Sequence, residues 1–209
     1  MSRFKQHAEK LMKDGQGIMD RYVKATADRD GAKAAYETLE RRNNPSSRNR
    51  PTYRELADAQ GALETARAAY SETVETCRRD AAKLAQEGRE GLHKAVDEFF
   101  AIDSGKYDAA FASLADAGIV GDADIVAAFD KYADNGTMLR YVAAKAEERR
   151  KAGDASEELI AALSRYDNNG SAEAVKENYE TLLRTLDRFT CSQWSPYWEK
   201  QVQPMVEVF

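Results

Sequence analysis

Residues 4–39 read FKQHAEKLMKDGQGIMDRYVKATADRDGAKAAYETL, and one column in them, Phe4, Leu11, Ile18, Ala25, Ala32 and Leu39, returns every seven residues. A second column, Ala8, Gly15, Tyr22, Arg29 and Tyr36, runs between them at the same period. Alternating steps of three and four make a coiled-coil seam, because a stripe repeating about every 3.5 residues keeps facing one partner helix. The pattern predicts a helix from Ser2 to Arg42. It ends at Asn43-Asn44-Pro45, since proline restricts the residue before it and donates no backbone hydrogen bond.

The partner helix is downstream. After the turn-rich NNPSSRNRP, Thr52 and Glu55 form a capping box that starts a second helix. Its seam is expected at Tyr53, Leu56, Gln60, Leu63, Arg67, Tyr70, Val74, Cys77, Ala81 and Leu84. A short loop forces an antiparallel return, pairing residues whose numbers sum to about 95. Leu39 then faces Leu56, Ala32 faces Leu63, Ala25 faces Tyr70, Ile18 faces Cys77, and Gly15 meets Ala81. Each arm spans roughly 55–70 Å at the helical rise. Past Leu84 the stripe slips to steps of four at Gly88, Leu92 and Val96, followed by Phe99, so this end should contact something new, the C-terminal half.

From Asp103 onward the helices are short and clearly punctuated. They are expected at about 105–116, from Asp122 to Asn135-Gly136, from Thr137 to Gly153, from Asp154 to Asn168-Asn169-Gly170, and from Ser171 through Phe189. The fold class is therefore all-α. A coiled-coil hairpin over 1–102 precedes a compact helical bundle over 103–209, which closes on an aromatic tail, Trp194, Tyr197 and Trp198 around Pro196, then Val206, Val208 and Phe209.

Composition agrees. Of 209 residues, 43% are hydrophobic and 32% charged, with 4 Pro and 12 Gly, a balance that favours long helices over sandwiches or disorder. Residues 1–103 carry 19 basic and 18 acidic side chains, and residues 104–209 carry 12 and 18. Neither half has the basic surplus of a nucleic-acid binder, so direct nucleic-acid binding is not expected. Cys77 and Cys191 form neither a disulfide framework nor a zinc motif, and each reads as a structural thiol. The N-terminus lacks an apolar leader core and no long apolar run occurs, so no membrane association and a cytoplasmic location are expected.

Little in the chain carries chemistry. His7 and His93 are the 2 histidines, and no HxxxH or HxxE spacing provides a metal site. A Cys191 nucleophile would have to borrow His93 from the other half. No GxGxxG or GxxxxGK[ST] cradles a phosphate. No catalytic, cofactor-binding or metal-binding residue is assigned, and the protein is expected not to be an enzyme. The anomaly is Arg29, a seam residue that the fold-back sets opposite Arg67. Either Asp28, Asp30 or Glu64 neutralises the two in an ion-pair layer, or they meet an acidic group on a partner. Trp194, Tyr197, Trp198 and Phe209 are either interface anchors or a strap over their own domain. The candidate partner-binding residues are Arg29, Arg67, Trp194, Tyr197, Trp198 and Phe209.

The stretch DKYADNGTMLRYVAAKAEERR contains Tyr132, Asn135, Leu139, Arg140, Val142 and Ala143 in a [YF]xxNxxxLRx[LV]A pattern. Together with the hairpin-plus-bundle order, it resembles helical proteins encoded by prophages of Gram-positive bacteria. That resemblance implies a phage context and no activity. The expectation is a non-enzymatic protein-interaction protein, a virion or assembly component acting in the host cytoplasm. The alternative is a phage inhibitor of anti-CRISPR or other anti-defence type, occluding a host defence or nucleic-acid-processing enzyme. The partner is a host or phage protein, and a homo-oligomer is a further option.

Overall fold

The heptad columns of residues 4–39 all lie on the buried side of α1 (Ser2–Arg42): Phe4, Ala8, Leu11, Gly15 and Ile18 are buried, and Tyr22, Ala25, Arg29, Ala32, Tyr36 and Leu39 are half-buried, while Met19, outside both columns, is fully buried as well. The computed structural model describes residues 2–44, 48–191 and 197–209. The protein is all-α, and no strand occurs among the described residues. The helices are α1, α2 (Tyr53–Phe100), α3 (Ala109–Asp116), α4 (Asp122–Lys131), α5 (Gly136–Ala152), α6 (Glu157–Arg165), α7 (Ala172–Cys191) and α8 (Trp198–Val206). A 3-10 turn at Ser104–Lys106 precedes α3, and a π-helical turn at Tyr166–Gly170 follows α6.

Contacts divide the chain into two compact units. One holds Leu11–Gln86 and Arg184–Val202; the other holds Met1–Lys10, Glu87–Leu183 and Gln203–Phe209. These units are drawn differently from a division at 102/103. The open ends of the hairpin helices belong with the small helices, and residues 184–202 belong with the hairpin.

In the hairpin unit, α2 begins as its capping box requires: Thr52 N donates to Glu55 Oε2 at 2.7 Å, and Glu55 N donates to Thr52 Oγ1 at 3.2 Å. The antiparallel register is close to expectation at Ile18, whose carbonyl accepts from Cys77 Sγ at 3.6 Å. Ile18, Cys77 and Ala81 form a small core with Tyr22 and Leu84 against it. Two expectations need correction. Gln60 and Arg67 are exposed, while Ala59 and Ala66 are half-buried in their place, so the α2 stripe runs Leu56, Ala59, Leu63, Ala66, Tyr70. Leu56, Leu63 and Tyr70 keep their places while the second column falls three residues on instead of four, which seats a methyl where a guanidinium would lose its water. Tyr53, placed in the seam by its spacing, is 88% exposed. Gly15 also forms the seat of Trp198, described below.

In the second unit, the step-four stripe of α2 meets α7, as its changed period implied. Leu92 and Val96 are fully buried, and Arg89 pairs with Glu180 at 2.5 Å and Lys176 with Asp97 at 2.6 Å. Gly88 lies against Tyr179, and a Cβ there would stand 2.6 Å from the phenol oxygen. The end of α2 has no basic residue in its last turn, so its orphan carbonyls need other donors. Arg140 Nη1 donates to Phe100 O at 3.1 Å and Thr137 Oγ1 to Ala101 O at 3.2 Å. The core of α4, α5 and α6 centres on Ile125, Met138, Val142 and Leu159.

Three helix starts differ from the sequence reading for local reasons. The first short helix begins at Ala109 because Asp108 caps it, accepting from Phe111 N at 3.0 Å. α6 starts at Glu157 with Ser156 as its cap, while Ser156 N donates to Asp122 at 2.6 Å. The tail contains a helix, α8, despite its internal Pro204, because Trp198, Val202 and Val206 bury one face at steps of four.

Asp108 also accepts from Tyr132 Oη at 2.6 Å and Lys131 Nζ at 3.2 Å. The Phe111 amide, then Tyr132 and Lys131, hold its carboxyl down at about 2, below the ordinary 3.8. A depressed carboxylate contributes stability that is complete above its unfolded value and lost as pH falls through its folded one. Asp108→Asn keeps the helix cap, since asparagine caps as well as aspartate. The variant should therefore be less stable than wild type at neutral pH, with the gap closing as pH drops from 3.8 towards about 2. Denaturant melts across that range check it; a gap independent of pH contradicts the assignment.

Candidate functional site

The six motif residues of the DKYADNGTMLRYVA stretch all have structural duties. Tyr132 binds Asp108, and Asn135 caps α5, accepting from Met138 N at 3.1 Å while its own amide donates to Lys106 O at 2.7 Å. Leu139 and Val142 are buried, Ala143 packs against the core, and Arg140 holds the end of α2. The pattern specifies a fold, and none of its side chains is left over for chemistry.

The candidate partner-binding residues are scattered. Arg29 donates from Nε and Nη2 to Asp30 Oδ1 at 2.9 and 2.7 Å, and its guanidinium lies 4.2 Å from the centre of the Tyr70 ring. Tyr70 Oη is 3.1 Å from Tyr22 Oη, which makes a polar layer inside the hairpin. Of the three carboxylates expected to neutralise the seam arginines, Asp30 pairs with Arg29. Arg67 is not a facing cation in that seam. It is exposed in a shallow groove with Glu37, Glu40, Glu64 and a second cation, Lys33, which pairs with Glu37 at 3.7 Å. Trp198 is fully buried, and its Nε1 donates to Met12 O at 2.9 Å. Phe209 is buried against Tyr179 with ring centres 6.2 Å apart. Tyr197 is 59% exposed, with Lys200 Nζ 5.7 Å from its ring centre. Trp194 lies outside the described residues, as do the side chains of Cys191 and Phe189.

Cys77 is a buried free thiol, pushed up in pKa by burial. His7 lies against Gly91 of α2, and His93 Nε2 is buried without a hydrogen-bond partner. Among the described residues no group of three or more His, Cys, Asp and Glu could hold a metal ion. No helix among them is long and apolar enough to cross a membrane.

Among the concave features of the described residues, two in the unit of small helices bear on binding, and the sequence announced neither. The first is a cavity of about 280 Å³ walled by Phe4, Phe99, Phe129, Tyr166 and Phe209, with exposed Asp130 and Arg165 also lining it. Burial, and secondly Glu173, push the Tyr166 phenol up to about 12, so it stays protonated. The volume falls just below the usual range of ligand pockets, about 300–1,000 Å³. Its lining pairs no nucleophile with a base.

The second is a shallow groove of about 360 Å³ between α3 and α4. Val120 and Ala128 form its buried floor, and Leu114 and Ile119 stand beside it 47% and 70% exposed. Asp124 and Lys131 line it with opposite charges. The helix that carries Leu114 is only 8 residues long and buries Ala112.

No protein-family model matches the chain, and neither a curated protein nor a solved structure matches it.

Proposed function

We propose that this is a non-enzymatic interaction protein that binds a protein partner through the α3–α4 groove. The observation that carries the reading is the exposure of Leu114 and Ile119 around an apolar floor. Contiguous apolar surface rimmed by charge is what a protein interface presents before its partner arrives. The partner would insert an apolar side chain between Leu114 and Ile119, with a basic flank facing Asp124 and an acidic one facing Lys131. The apolar cavity, with no paired acid and base in its wall, supports binding over catalysis.

The resemblance of the Tyr132–Ala143 stretch to prophage-encoded proteins supports a phage setting, in which this surface serves virion assembly in the host cytoplasm. The acid surplus of residues 104–209, 18 against 12, favours a second reading. There, an inhibitor competes for a basic groove on a host defence or nucleic-acid-processing enzyme.

Leu114→Asp and Ile119→Asp test the groove, because both residues are exposed and the fold should tolerate the changes. A photo-crosslinker at Ile119 should link a defined partner protein, and the two substitutions together should abolish the complex at unchanged helicity. Crosslinks to a second copy of the chain would identify a homo-oligomer as the occupant. A complex that survives both substitutions contradicts the groove.

A further inference from the structure

We propose that the closed end of the α1–α2 hairpin is a docking site for the phosphate backbone of single-stranded nucleic acid. Between positions 41 and 54 the chain carries Arg41, Arg42, Arg48, Arg50 and Arg54 and no acidic residue. The other 195 residues, 209 less these 14, hold the remaining 26 basic side chains and all 36 acidic ones. The near balance of charge over residues 1–103 averages this concentration away. All five basic residues are arginine, although the chain elsewhere uses lysine freely. Arginine presents a planar fork that matches phosphate oxygens two at a time.

The structure makes the site more than a composition. All five arginines are exposed. Arg42 Nη2 donates to Asn49 O at 3.1 Å, and Arg50 Nε donates to Asn43 Oδ1 at 2.9 Å. These two contacts cross between the helix end and the returning strand of the loop, so the guanidinium groups are held in place. Their acceptors are neutral, and the contacts do not cancel the charge. Elsewhere, basic clusters are cancelled: Arg149 pairs with Asp122, and Arg150 and Lys151 with Glu147. Of the carboxylates that flank this window, Glu55 is engaged by the Thr52 cap with Arg42 also acting on it, Asp58 lies 3.8 Å from Arg54, and Glu40 is exposed next to Arg41 in the sequence.

The ring of Tyr53 points to single strands over duplex or an acidic protein. It is 88% exposed at the first residue of α2, one position from Arg54. An uncovered aromatic face beside arginines suits an unpaired base, which stacks whatever its identity. A duplex offers no such free base face. An acidic protein surface would gain little from the ring.

The full chain is titrated into fluorescein-labelled oligouridine and followed by anisotropy. If all five arginines meet phosphates, the affinity should fall about a hundredfold between about 50 and 200 mM salt, from a slope of roughly −0.7 per neutralised phosphate. Arg48→Gln with Arg54→Gln removes two exposed charges without touching the loop-holding contacts. That pair should lower affinity at least tenfold and flatten the salt slope by about two-fifths. Tyr53→Ala should weaken oligouridine about tenfold, leave the salt slope unchanged, and have no effect on duplex DNA. The proposal is overturned by absence of binding at about 50 mM salt, or by binding that ignores both the arginine pair and Tyr53. Displacement by polyglutamate at equal charge also overturns it, in favour of an acidic protein partner. Because the α3–α4 substitutions leave the tip untouched, the two surfaces succeed or fail separately.

Discussion

Gly136→Ala is expected to destabilise the protein by about 3 kcal/mol, although the same change in an unobstructed helix stabilises by about 1 kcal/mol. Gly136 opens α5 where that helix meets the end of α2. A Cβ built there would overlap the Phe99 carbonyl, with the carbonyl carbon at 2.8 Å and Phe100 Cα at 3.0 Å. The obstacle is backbone, which cannot rotate away as a side chain can. It is also tied down, because Arg140 and Thr137 of the same helix hold the Phe100 and Ala101 carbonyls. Moving α5 outwards to admit a methyl would break those bonds and leave the end of α2 with orphan acceptors. Gly153→Ala is the control. Its φ is +79° and nothing lies within 4 Å, so only the left-handed conformation is penalised, by about 1–2 kcal/mol. Urea melts followed by circular dichroism compare the two. A gain in stability at Gly136 would show that the two helices do not approach as closely as described.

The same contact shows what the sequence could and could not reveal. Asn135-Gly136 was legible as punctuation between two apolar stripes, although it starts α5 and does not stop α4, which ends at Lys131. That a backbone passes within a methyl's breadth was not, since the passing segment is Phe99, far away in sequence. The α1 stripe was legible for the opposite reason: its partner is set by one short loop, and a single period covers 36 residues from Phe4 to Leu39. The error at Gln60 and Arg67 lay in the choice of the second column and not in the period. Ala59 and Ala66 also repeat every seven residues beside Leu56, Leu63 and Tyr70, and they won the place on desolvation. The concave sites were least legible. The cavity takes its wall from Phe4, Phe99, Phe129, Tyr166 and Phe209, on five different segments, and no local pattern encodes their meeting. The basic tip was written plainly in the chain, but charge summed over half its length conceals fourteen residues.

Trp198→Ala is expected to cost about 4 kcal/mol, the loss of a fully buried indole and of its hydrogen bond to the Met12 carbonyl. The site was made for it on α1. Gly15 lacks a Cβ, and one added there would stand 2.8 Å from the indole Nε1 and 3.0 Å from Cε2. Gln16 continues the contact, its Oε1 accepting from Glu199 N at 3.0 Å in the first turn of α8. A glycine inside a helix costs about 1 kcal/mol relative to alanine, so its presence at 15 calls for a compensating contact. The cycle of the two substitutions isolates it. Gly15→Ala should destabilise the wild-type chain, because overpacking against the ring outweighs the gain in helix propensity. In the Trp198→Ala background the obstruction is gone, and the same change should stabilise by about 1 kcal/mol. Gly17→Ala, two residues on with nothing within 4 Å, should stabilise in both backgrounds. The reversal of sign at 15, set against constancy at 17, is the signature of a glycine retained as the seat of a tryptophan. If Gly15→Ala behaves as Gly17→Ala does, then α8 does not dock there, and the tail's burial must be sought on another face of α1.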